Sequence, residues 1–82
     1  MSMASFLLHH RHEPEKCGVA FAAFKGYQSP LRHATTVSSC ASGGHEIWWV
    51  VEAESSAAAL DLLPHYLAER CNVVQVRAVR IP

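Results

Sequence analysis

Three imidazoles crowd the stretch SFLLHHRHEPEK, residues 5–16, as His9, His10 and His12, and a proline follows two positions later. Successive side chains of an extended strand point to opposite faces. Phe6, Leu8, His10 and His12 therefore share one side, while Leu7, His9 and Arg11 share the other. The three rings cannot act as one unit, and the pair that can is His10 with His12. Two chemistries suit it. An imidazole titrates near neutral pH and moves protons without a cofactor, which makes His10 a candidate general acid or base. A His-x-His pair on one face can also hold a divalent transition metal (nickel, copper or zinc) once a third ligand arrives, and His33, His45 or a cysteine from elsewhere could supply it. The competing reading is structural: strand-end histidines that are exposed or hydrogen-bonded, with Arg11, Glu13 and Glu15 forming a solvated charge cluster.

Size and composition limit what can position these groups. The 82 residues make one domain, 1–82. A chain of that length buries only about 60% of its unfolded surface, so association with a partner is expected. Seven basic residues balance seven acidic ones, leaving no net field to hold nucleic acid or anionic lipid. Half the residues are hydrophobic and 17% are charged, the composition of a folded core with further apolar surface to cover. No apolar run approaches the roughly 18 residues of a membrane span, and no secretory leader is visible. The expectation is a cytoplasmic protein. Cys17, Cys40 and Cys71 are odd in number and match no zinc or redox pairing motif, so most of them read as small buried hydrophobes.

The elements follow from periodicity. Residues 5–11 read as a first strand. His12, Glu13 and Pro14 open a helix over 14–25, with Cys17, Ala20, Phe21 and Phe24 on one core-facing stripe and Gly26 as the stop. Tyr27 to His33 reads as loop. Residues 35–40 form a second strand, and Ala41-Ser42-Gly43-Gly44 turns the chain into the third, His45 to Ala53. Ser55 or Ser56 caps a second helix that ends near Leu63 because Pro64 breaks it. Asn72 to Ile81 is the last strand. The order β-α-β-β-α-β predicts an α+β, ferredoxin-like plait: four antiparallel strands with two helices on one face.

Both faces of the predicted sheet are apolar. Ile47, Trp49 and Val51 lie on one side of the third strand, and Trp48 and Val50 on the other. Two helices cover one face only, so a second copy of the chain is expected to cover the other, sheet to sheet, with Trp48 in the interface.

Arg32-His33 entering strand two, Gly44-His45 opening strand three, Val51-Glu52-Ala53 followed by Ser55-Ser56 and an Ala/Leu helix, and Leu63-Pro64 before the last strand together resemble the dimeric α+β barrel superfamily. The similarity spans roughly residues 31–82 and is greatest to the muconolactone isomerase and stress-responsive A/B barrel groups. Helix one is shorter here than in that isomerase, and no isomerase catalytic residue is carried across. The resemblance implies a homodimer with a pocket in each subunit between helices and sheet, roofed by helix 14–25.

In such a pocket His10 would stand on the wall as proton shuttle. Phe21, Phe24 and Trp49 would supply apolar walls, and Tyr27 and His33 would hydrogen-bond a carbonyl or carboxylate. At helical and strand spacing the same aromatics also fit an ordinary core. The leading expectation is a cofactor-free isomerase, cyclase or monooxygenase-like dimer that binds a small, partly apolar organic molecule. The alternatives are a transition-metal binding protein using His10 and His12, and a non-catalytic structural or regulatory dimer.

Overall fold

The computed structural model of the chain describes residues 3–82. Strand β1 (Ala4–Arg11) is followed by a single 3-10 turn at Pro14–Lys16 and helix α1 (Cys17–Ala22). After a loop come strand β2 (Val37–Ser38), a second 3-10 turn at Cys40–Ser42, and strand β3 (Glu46–Ala53). Helices α2 (Ser56–Leu60) and α3 (His65–Ala68) then lead into strand β4 (Cys71–Val76). The fold is α+β: one four-stranded antiparallel sheet in the order β2-β3-β1-β4, with a few short helices.

Period-two alternation divides the sheet into two unlike faces. Phe6, Leu8 and His10 of β1 pair across with Val51, Trp49 and Ile47 of β3, and all six are buried. Against them pack Ala20 of α1, Ala59 of α2, Leu63, and Leu67 of α3. The opposite face carries a row in which Leu7 lies between Val50 and Val74, two valines that are 68% and 54% exposed. Beside that row the His9 ring stacks flat on Trp48, with centroids 5.1 Å apart. Glu46 accepts hydrogen bonds from His9 at 2.5 Å and from Arg11 at 3.3 Å. The His9 bond, reinforced by Arg11, holds the Glu46 carboxyl below the usual carboxylate range.

Several boundaries differ from the sequence expectation. The expected helix over 14–25 is a 3-10 turn joined to six helical residues, since Gly18 gives its first turn little helix propensity. Gly26 does close the region, at φ 79°. Phe21 is 51% exposed rather than on a core stripe; the fully buried contact is Ala20, a residue small enough to bring the helix close to the sheet. The expected strand over 35–40 shrinks to Val37–Ser38, and Cys40 sits in a 3-10 turn. Ser55 caps α2 by accepting from the Ala58 N–H at 3.1 Å; the helix ends at Leu60 rather than near Leu63, and Pro64 sets the start of a further helix, α3, that the sequence pattern does not anticipate. Strand β4 stops at Val76, the partner of Ser5, because its neighbour β1 begins one residue before Ser5; Val79 and Ile81 are exposed.

Candidate metal centre

The end of the sheet where β1 leaves and β3 enters gathers three side chains of ligating type, His12, Cys17 and Cys40, with His45 beside Cys17. His12 is the first residue after β1, and its backbone N–H continues the ladder by donating to the His45 carbonyl at 3.0 Å. That bond places both imidazoles at one edge. Cys17 arrives as the first residue of α1, and Cys40 as the first of the 3-10 turn after β2. His12 Nε2 lies 3.2 Å from Cys17 Sγ and 3.3 Å from Cys40 Sγ, and Cys17 Sγ lies 3.5 Å from His45 Nδ1. The ligand atoms of His12, Cys17 and Cys40 all fall within 4.8 Å of one another.

The loop that carries Cys40 and His45 is tightly built. Ser39 donates its N–H to the Glu46 carbonyl at 2.9 Å and its carbonyl accepts from Gly44 at 2.8 Å. Its hydroxyl accepts from the Glu46 N–H at 3.2 Å. A Cβ at position 44 would lie 2.2 Å from Ser39 Oγ and 2.6 Å from Ser39 Cβ, so only glycine fits. Gly43 takes φ 89° to close the turn, a conformation glycine adopts without steric cost.

Electrostatics shift two members of the cluster, His12 and Cys17, toward their neutral forms. Burial, aided by the nearby His45, holds His12 below its ordinary pKa and so favours the neutral imidazole, the form that ligates metal. The adjacent Cys40 thiol, through a hydrogen bond, and then burial push the Cys17 thiol up. His10 stands directly behind, its ring 5.1 Å from that of His12. Its Nδ1–H donates to the Leu67 carbonyl at 3.3 Å, and burial lowers its pKa.

The residues singled out from the sequence are distributed as follows. Of the metal pair, His12 is in the cluster, while His10 is fully buried one layer behind it. Of the further ligands considered, His45 and two cysteines are at hand, and His33 lies elsewhere, on the wall of a groove. That groove, about 570 Å³, runs between α1 and the β2–β3 edge over Ile47 and Trp49. Phe21, Phe24, His33 and Trp49 line it; Tyr27 does not, its hydroxyl donating instead to the Asp61 carbonyl at 2.5 Å. His10 contributes nothing to its wall, because the inner face of β1 at that point is covered by α3.

Cys17 and Cys40 are the residues that sequence reasoning undervalues. The usable signal is a mirrored spacing: His12 and Cys17 are separated by four residues, and so are Cys40 and His45. Each half resembles a ligand pair only once the β1–β3 pairing joins them. No family model, curated protein or solved structure matches the chain.

Proposed function

We propose that this protein binds a transition metal, zinc by preference, through His12, Cys17 and Cys40, with His45 closing the shell. The observation that carries this reading is the convergence of both thiols on the same imidazole nitrogen, His12 Nε2, at 3.2 and 3.3 Å. With zinc–sulfur bonds of about 2.3 Å and zinc–nitrogen bonds of about 2.0 Å, tetrahedral geometry demands a sulfur–nitrogen edge of about 3.5 Å. The cluster is thus near ligand spacing before any ion enters. Two thiolates and two imidazoles form a soft, tetrahedral set that suits zinc over magnesium or calcium. The metal would tie β1, α1 and the β2–β3 loop together at one point. Cobalt(II) titration of reduced protein tests this: one equivalent should develop the intense near-ultraviolet sulfur-to-cobalt bands of a tetrahedral thiolate centre. Cys17→Ser or Cys40→Ser should weaken them, and a colourless titration refutes the reading.

A second reading is favoured by the groove, whose apolar floor and 570 Å³ volume match a small-molecule site. In it the chain is a ferredoxin-like subunit that binds a small organic ligand, with the metal as scaffold. The strand order β2-β3-β1-β4 supports such a plait. The Val50-Leu7-Val74 row supports pairing of two copies sheet to sheet, since a two-fold axis lets one apolar patch cover itself. Isomerase-like chemistry in that groove would draw its proton carrier from His33, which lines it, rather than from the buried His10.

A further inference from the structure

The groove has a charge pattern that the metal centre does not explain. Its floor is Ile47 and Trp49, and the Phe24 ring leans on Trp49 with centroids 6.2 Å apart. Lys25, Arg32 and His33 line it and no carboxylate does. Arg32 is half-buried, yet the ion pairs among the described residues engage only Glu46 and Glu69 as acids. A guanidinium partly withdrawn from water and left without a counter-charge is a standing cost, relieved by an anion that brings its own oxygen acceptors. His33 adds a second signal. Its φ of 69° is left-handed, a conformation that costs free energy for a residue other than glycine and that clusters where chains bind ligands.

We propose that the groove binds a small apolar or aromatic monocarboxylate, its hydrocarbon body against Trp49 and Phe24 and its carboxylate on Arg32, with Lys25 and His33 at the rim. The proposal rests on the small-molecule reading of the groove and adds the ligand's class. The carboxylate accepts two parallel N–H bonds from the guanidinium fork, a geometry that lysine cannot copy. The flat body displaces water from the exposed Phe21 ring and the half-buried Phe24 ring, above the buried Trp49.

Calorimetric titration of the full chain with naphthoate, neutral naphthamide and cationic naphthylmethylamine separates body from charge. Naphthoate should bind at least about tenfold more tightly than the amide, the scale of one charge-assisted pair, and the amine weakest. Arg32→Gln should reduce naphthoate to the level of the amide while leaving amide binding unchanged and the melting temperature no lower; Arg32→Lys should recover only part of the difference. His33→Gly should weaken naphthoate without lowering the melting temperature, because glycine adopts the left-handed backbone freely. Equal binding of acid and amide overturns the anion site while leaving the groove a ligand site. Failure of all three compounds to bind at millimolar concentration overturns the proposal together with the groove reading beneath it.

Discussion

His12 carries the most consequence of any single residue, because its Nε2 is the common neighbour of both thiols and its backbone N–H is the link to His45. A closed structural zinc site contributes on the order of 10–16 kcal/mol, so losing one of four ligands should cost about 3 kcal/mol, a drop of about 100-fold in affinity. Competition with a chromophoric chelator should show that loss for His12→Ala, Cys17→Ser and Cys40→Ser alike, and a much smaller loss for Cys71→Ser, whose thiol is not in the cluster. Binding also displaces thiol protons. Since the Cys17 thiol is pushed up by Cys40 and by burial, zinc affinity should climb steadily as pH rises through neutrality. The metal-free fold should respond to acid for a different reason. His10 and His12 are held below their ordinary pKa chiefly by burial, so the unfolded chain takes up protons first. Their stabilising contribution is complete above about pH 6.5 and is lost as pH falls through the lowered folded values. Urea midpoints of chelator-treated protein should therefore fall between about pH 7 and about pH 5; a midpoint that stays level over that interval contradicts the buried-neutral assignment.

At the scale of elements, the Ser39–Glu46 loop governs whether Cys40 and His45 are presented at all. Gly44→Ala forces its Cβ into Ser39 Oγ and Cβ and should cost about 1–3 kcal/mol, as overpacking does. Its zinc affinity should fall as well, although no ligand is altered, and chemical denaturation alongside metal titration checks both. The inner faces of β1 and β3 were legible in the sequence because alternation alone sorts Phe6, Leu8 and His10, and Ile47, Trp49 and Val51, onto one side. Likewise Ser55 marks the start of α2 by chemistry that acts over a few residues, whereas α2 closes at Leu60, short of the expected Leu63, and Pro64 opens α3 instead. What local pattern could not supply was anything set by a distant partner. The end of β4 depends on where β1 begins, and the brevity of β2 on a loop anchored to Glu46. The meeting of Cys17 with Cys40 depends on His12 pairing with His45 across 33 positions. Exposure of Phe21 follows from Ala20 making the close contact, a choice between adjacent residues that helical spacing leaves open.

For the whole molecule, the open sheet face and the His12–Cys17–Cys40 cluster lie apart and can be tested separately. The Val50-Leu7-Val74 row and the His9–Trp48 stack present an apolar strip bordered by the Glu46–His9–Arg11 charge cluster, which a second copy would bury. Sedimentation at micromolar concentration should find a dimer, and Val50→Lys combined with Val74→Lys should convert it to a folded monomer; a wild-type monomer would show that this face is not self-complementary. The metal claim stands independently, since no residue of that face belongs to the cluster. Its most direct test is X-ray absorption at the zinc edge of the reduced, zinc-loaded protein. The shell should contain two sulfurs at about 2.3 Å and two imidazole nitrogens at about 2.0 Å, and a shell of oxygen and nitrogen alone, or zinc that washes away during desalting, would contradict it.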